Sequence, residues 1–237
     1  KGDTFYIGKT NTVAAEEVVV GTEPTAVNPF NTTGVTLTIN QWYQAEVPID
    51  VMSDMQTQID PSQDPAREVA YAIAKQIDTS INTLFSALNS SAIIGDDGQT
   101  FTEDLGLEVV ETLDENDVPS KDRTWLIDPS VKIDMLKIDK VLSAEYATKG
   151  GLVSGEIGHS MWGGSVRVTN NLTAATTGSY GCLLQKDAIA CKVQLQKAGR
   201  DDVLGRRKHQ IYYYSEALWG VIEARDAYGV PFYTRKA

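Results

Sequence analysis

The stretch GEIGHSMWGGSVRVTNNL, residues 155–172, gathers the residue types in this chain best suited to chemistry. Its four glycines could cradle a phosphate, and His159, one of only two histidines, could hold a metal or move a proton. Each possibility makes a demand on spacing. A phosphate loop of the Gly-x4-Gly-Lys-Ser/Thr kind needs a lysine that neither GEIGHSMWGG nor KGGLVSG supplies. A dinucleotide fingerprint must open a helix, whereas the SVRVTNN that follows reads as a strand. His159 and His209 are the only imidazoles, and no His-Glu-x-x-His spacing brings a metal set together. No Gly-x-Ser-x-Gly elbow marks a nucleophile. The reading that fits is a hairpin: Ile157–Met161 as one strand, Gly163 and Gly164 as the backbone turn, Ser165 to Thr169 alternating on the return, and Asn170-Asn171 ending it. His159 is then a turn or interface residue.

Other candidates yield to plainer readings. Asp96 and Asp97 in GDDGQTF lack the glutamate that closes a calcium loop, so they read as turn residues. Cys182 and Cys191 read as two buried thiols, too few for a disulfide framework or a zinc site. No cofactor is expected. The one basic cluster, KAGRDDVLGRRKHQ at 197–210, has three readings: a solvated loop, an ion-pair patch for an acidic neighbour, or a weak nucleic-acid contact. Arg200, Arg206 and Arg207 would carry the ion-pair patch, with Glu16 and Glu17 of another subunit as partners.

Composition narrows the class. The chain has 237 residues, 42% hydrophobic and 22% charged, as a globular protein does. Its 21 basic and 32 acidic residues give a net charge of −11. A sequence-specific nucleic-acid binder usually carries a basic stripe, and this balance argues against one. Apolar runs fall short of the ~18 residues that span a bilayer. The chain opens at Lys1 rather than Met, so a natural start that was cleaved or omitted is expected.

The positioning elements follow from periodicity. DTFYIGKT, EEVVVG and GVTLTINQWYQAEVPID read as strands, the last with Val35, Leu37, Ile39 and then Tyr43, Ala45, Val47 alternating. GTEPTAVNPFNTTG between them reads as a long polar hairpin tip that needs a neighbour to lie on. A long helix is expected from an Asp64 cap and Pro65 through Val69, Ile73, Ile77, Ile81, Leu84 and Leu88 to Asn89-Ser90-Ser91, about 25 residues or roughly 37 Å. A second helix starts at a Thr102 cap and turns Leu105, Val109 and Leu113 inward; RTWLID is a buried strand; a third helix opens at Asp128-Pro129. Strand–helix alternation here suggests a compact α/β unit, and β-pattern resumes from residue 152.

Taken in order, these pieces resemble the major capsid proteins of tailed double-stranded DNA phages with the Hong Kong 97-type fold, over nearly the whole chain. GDTFYIGKTNT looks like the entry to that family's extended loop, and VTLTINQWYQAEVPID like its return strand. DPAREVAYAIAKQIDTSINTLFSAL is similar to its spine helix, and VPSKDRTWLIDPSVKIDML to the strand–Pro–helix segment of its axial domain. GEIGHSMWGGSVRVTNNL resembles the segment leading out of the axial domain, and LLQKDAIACKVQLQ and ALWGVIEARDAYGVPFY its late strands. The arm that precedes the extended loop in the family is missing. Lys9 is the only lysine placed for the inter-subunit cross-link of one branch, no partner is identified for it, and no cross-link is expected.

The resemblance implies an α+β fold with four parts: an extended β-hairpin with its flanking strands at 1–50, a peripheral domain with a long spine helix at 51–100, an axial α/β domain at 101–172, and return strands of the peripheral domain with the C-terminal strands at 173–237. It implies a non-enzymatic shell subunit that self-assembles through hexamers and pentamers into an icosahedral capsid around double-stranded DNA, without sequence-specific contacts. Residues 9 to 45 would overlap the adjacent subunit. Its partners would be copies of itself, with scaffolding, portal or decoration proteins as further ones, and no membrane. It would reside in the virion shell after assembly in the host bacterial cytoplasm. Interface residues expected beyond the charged ones are Trp42 and Tyr43 at the loop root, Phe30 at its tip and Trp162 beside the glycine turn. Two rivals stand: an encapsulin-type shell with enzyme cargo, and a soluble α/β enzyme with Asp128 or Asp134 working near His159.

Overall fold

The computed structural model describes residues 2–10, 32–50, 64–138, 160–205 and 208–235, together with Glu17 and Val20. The EEVVVG strand as a unit, the hairpin tip with Glu16 and Phe30, most of the third helix beyond Ile138, His159, Arg206 and Arg207 lie outside the described residues.

Helix α1 spans Asp64–Asn82, with Pro65 in the first turn where a missing N–H is harmless. Val69 and Ile73 are buried, with Ile77 packed beside them. At 19 residues it is about 28 Å long, shorter than its periodicity predicts. The polar residues near its end explain the stop. Ser80 Oγ bonds back to the Gln76 carbonyl at 2.9 Å, and Thr83 Oγ to the Ser80 carbonyl at 2.8 Å. The chain then tightens into two 3₁₀ turns, Phe85–Ala87 and Asn89–Ser91. Asn89, Ser90 and Ser91 have φ of 53°, 53° and 62°, a left-handed run that cannot continue a right-handed helix. Asp226 holds the turn, its carboxylate accepting the Ser90 N–H at 2.9 Å and hydroxyl at 2.8 Å. Leu88 is buried as the pattern requires and Leu84 half-buried, but Leu88 sits in a different core beside Cys182 with Phe85, which the pattern did not include.

Helix α2 (Glu103–Glu115) follows the expected cap: Thr102 Oγ accepts the Leu105 N–H, and Leu105, Val109 and Leu113 point inward. Helix α3 spans Pro129–Leu136, capped at its start by Asp128, which accepts the Ser130 N–H, and at its end by Lys137.

Five strands make the main sheet, in the order β10-β7-β4-β6-β5: β4 (Arg123–Ile127), β5 (Ser160–Met161), β6 (Gly164–Val168), β7 (Gly178–Gln185) and β10 (Gly229–Arg235). The β4–β6 pair is parallel and the other pairs antiparallel. β4 is covered on both faces. Trp125 and Ile127 join α2 and α3 in the largest core, while Leu126 faces Phe85, Leu88 and Cys182. Two strands of this sheet come from beyond residue 172.

A second sheet of three strands, in the order β3-β9-β8, contains β3 (Gln41–Asp50), β8 (Ile189–Gly205) and β9 (Lys208–Glu223). Ile73 of α1 packs on its Ala217 and Trp219 face. Residues 197–205 and 208–210 of the basic segment are strand rather than loop, part of a β8–β9 arm whose pairs run from Ile189↔Glu223 to Gly205↔Lys208, roughly 50 Å at strand rise.

The remaining strands, β1 (Thr4–Thr10) and β2 (Thr32–Thr38), form a two-stranded ribbon. GVTLTINQWYQAEVPID is thus two strands in two sheets, broken at Ile39-Asn40, because Leu37 and Ile39 are buried at the crossing point. Cys182 is buried as expected, and burial pushes its thiol pKa up. Cys191 is exposed on β8, contrary to expectation: β8 is an edge strand, paired with β9 on one side only.

Candidate assembly surfaces

The β1–β2 ribbon is seated at its root and open beyond it. Ile39 N–H donates to the Asp3 carbonyl at 2.7 Å. Lys192 Nζ of β8 sits over the Phe5 ring, 5.5 Å from its centroid. The crossing depends on Gly220 of β9, where any Cβ would collide with the Thr38 carbonyl oxygen. Further out, Tyr6 is 64% exposed and its ring lies across Gly34. Among the described residues no third strand pairs with the ribbon.

Trp42 and Tyr43 point to opposite faces of edge strand β3. Tyr43 stacks on buried Trp219, centroids 5.1 Å apart. Trp42 is 66% exposed on the face away from α1, in a row with Leu218 and the exposed Leu195. Along that face lies an open cleft lined by Gln44, Glu46, Lys197, Asp201, Tyr212, Tyr214 and Glu216.

Of the charged candidates, only Arg200 and Glu17 lie among the described residues. Arg200 already pairs with Asp202 on its own strand, Nε to Oδ1 at 2.8 Å. Lys197 lies 3.8 Å from Glu216 and 5.7 Å from the Tyr214 ring centroid. Glu17 is exposed.

The glycine stretch is a hairpin, but its turn is Trp162-Gly163, with φ of 45° and 79°. Positive φ at both central residues is the turn that matches strand twist. Gly164 starts β6 instead, and its lack of a side chain makes room for the Trp125 ring. Trp162 packs within its own chain, 5.8 Å from Trp125 and 6.3 Å from Phe101 between ring centroids, with its ring over Gly106.

The carboxylates considered for catalysis are occupied. Asp128 caps α3 and also accepts Ser130 Oγ at 2.8 Å. Burial alone would raise the Asp134 pKa, but hydrogen bonds and charge from Arg235, with Lys137, hold it below the ordinary carboxylate value. Glu223 is shifted up, first by burial and then by Asp226, against the opposing charge of Lys9. Among the described residues no cluster of three metal-ligating side chains exists.

Sequence reasoning passed over three connectors. Asn171 Nδ2 donates to the Lys75 carbonyl at 3.0 Å and to Thr79 Oγ at 2.8 Å, and its carbonyl accepts Asn82 Nδ2 at 2.8 Å, tying α1 to the end of β6. Asp97 accepts the N–H groups of Thr177 and Gly178, both at 2.8 Å, pinning the start of β7. Gly220 is the third. An Asn-Asn pair after a strand signals an ending; the helix it grips is set by tertiary structure.

Residues 1–165 match the family described as Phage capsid protein. The chain belongs to the phage capsid protein family. Its role is that of a major capsid protein, and its mixed α and β fold is shared with solved capsid structures. A chain of Mycobacterium phage Che8 superposes with a TM-score of 0.75 at 19% identity, over 98% of this chain and 85% of that one. The capsid structure of cyanophage P-SCSP1u gives 0.74 at 15%, over 100% and 85%. The capsid of a native GTA particle, computed with C5 symmetry, gives 0.66 at 10%, over 99% and 86%. No curated protein matches the sequence. No described helix of this capsid protein is long and apolar enough to cross a membrane.

Proposed function

We propose that this capsid protein forms pentameric and hexameric rings that close into an icosahedral shell around double-stranded DNA, held without sequence-specific contacts. Residues 1–50 act as the extended hairpin, 51–100 as a peripheral domain with α1 as its spine, 101–172 as the axial domain, and 173–237 as return strands. Assembly takes place in the host bacterial cytoplasm, with scaffolding, portal or decoration proteins as further partners.

The β1–β2 ribbon carries this reading. It has a fixed root at Gly220 and, among the described residues, no third strand on either edge, a shape that gains buried area against a neighbour. Head-to-tail contact of that kind closes rings of identical subunits. A fivefold arrangement fits this reading, since the similar capsid of a native GTA particle is computed with C5 symmetry. Trp42 and Tyr43 sit where such a neighbour would meet the root; Phe30, Glu16 and Glu17 belong to the same reading through the hairpin. Trp162, already engaged by Phe101 and Trp125, contributes by shaping the β5–β6 turn.

Deleting residues 20–34 tests it. The variant subunit is expected to fold and to lose closed particles in electron microscopy and size exclusion. Normal particles would overturn the hairpin assignment. The contents of wild-type particles separate a genome-enclosing shell from an encapsulin-type one: nuclease-resistant DNA supports the first, protein cargo the second.

A further inference from the structure

The cleft on the open face of the β3-β9-β8 sheet is acidic and aromatic. Glu46, Asp201 and Glu216 supply three carboxylates against one ammonium, Lys197, over the rings of Tyr212 and Tyr214. The register sets this up: Gln44, Glu216 and Lys197 lie in one cross-strand row, Glu46, Tyr214 and Gly199 in the next, and Pro48, Tyr212 and Asp201 in the third. Carboxylates flanking tyrosine faces suit a guanidinium, which can bond a carboxylate through two N–H groups and stack on a ring.

The same chain carries its densest positive run, Arg206-Arg207-Lys208, in the sequence at the far end of the β8–β9 arm. Within one copy the described end of that run, Lys208, lies four strand steps, about 13 Å, from Tyr212 at the near end of the cleft and eight steps, about 26 Å, from Glu216 at its far end. Arg200 does not fill the cleft: it lies beside Tyr213 on the opposite face and is paired with Asp202. A chain with −11 net charge must bring its copies together against mutual repulsion, so its few cations have most effect where they meet carboxylates of another copy.

We infer that the Glu46–Asp201–Glu216 cleft receives the Arg206-Arg207 end of the arm of a second copy. This rests on the reading of the chain as a self-assembling shell subunit. It replaces Glu16 and Glu17, the partners expected from sequence, with carboxylates grouped by three strands in one concave surface.

The test is a charge swap in the full chain under conditions in which wild type forms particles, counted by electron microscopy and sedimentation. E46K/E216K and R206E/R207E should each lower particle yield at least tenfold while the subunit keeps its circular dichroism and melting profile. The four-fold combination should recover at least a third of the wild-type yield. The neutral variant E46Q/E216Q, which keeps the strand shape, should fall between and become more sensitive to salt. Wild-type yield from E46K/E216K or from E46Q/E216Q, or a combination no better than either parent, overturns the contact and leaves the shell reading standing. Rescue of R206E/R207E by E16K/E17K instead also overturns it. A wild-type chain that forms no particle with its own assembly partners present overturns the shell reading and this contact with it.

Discussion

Arg235 grips Asp134 through two N–H···O bonds of 2.7 Å each, Nε to Oδ2 and Nη2 to Oδ1. The carboxylate is 2% exposed, and Arg235 ends the described part of β10. The pair therefore fastens the C-terminal strand to α3, with Ser130 Oγ adding a bond to the Arg235 carbonyl at 2.6 Å. Asp134→Asn should lower subunit stability by about 1–3 kcal/mol, the usual loss when one partner of a buried charged bond is removed. Because folding lowers the Asp134 pKa, its contribution is present above the unfolded carboxylate value near ~4 and fades as pH falls through the lower folded value. Urea titrations at pH 7 and pH 3 check this: the gap between wild type and variant should narrow in acid, and an equal gap at both would contradict it.

Gly220→Ala should unseat the hairpin root. The new methyl meets the Thr38 carbonyl, so the β2–β3 crossing must move, at about 1–3 kcal/mol for an overpacked contact. Amide exchange at Leu37 and Ile39 should accelerate and particle yield should fall. Unchanged exchange would mean the crossing is not fixed by that glycine.

Asn171→Ala removes two donated bonds to α1 and should reduce stability by about 1–2 kcal/mol. Faster exchange should concentrate in the second half of α1. A uniform change over the chain would argue against a local tie.

Trp42→Ala and Trp125→Ala should separate assembly from folding. Trp42 is 66% exposed, so its loss should change subunit stability by less than about 0.5 kcal/mol while reducing particle yield. Trp125 is fully buried and donates to the Met161 carbonyl at 3.0 Å, so its truncation should destabilise the fold by about 3–5 kcal/mol. Equal effects on yield at equal stability would remove Trp42 from the interface.

Local signals carried much of this fold. The Thr102 and Asp128 caps, the inward Leu105, Val109 and Leu113, and the buried RTWLI strand are each set by residues within one or two turns of each other. Signals failed where tertiary structure decides. Leu84 and Leu88 kept helical spacing past Asn82, yet the helix stops at Asn82 and the chain runs on as two 3₁₀ turns, the second carrying left-handed residues 89–91 held by distant Asp226. The break at Ile39-Asn40 is invisible in a continuous β-pattern, because it depends on Gly220, far along the chain. Trp42 and Tyr43 read alike in the sequence; only the two faces of β3 separate exposed Trp42 from Tyr43 stacked on Trp219. The acidic cleft was not legible, since its residues come from three strands that meet only in register.

Electron microscopy of particles from the native source, with the shell traced residue by residue, tests the central claim most directly. The account predicts density for this fold repeated around fivefold and sixfold rings, each β1–β2 ribbon lying on an adjacent copy. Shell density that does not accommodate this fold, or ribbons folded back on their own subunits, would contradict it.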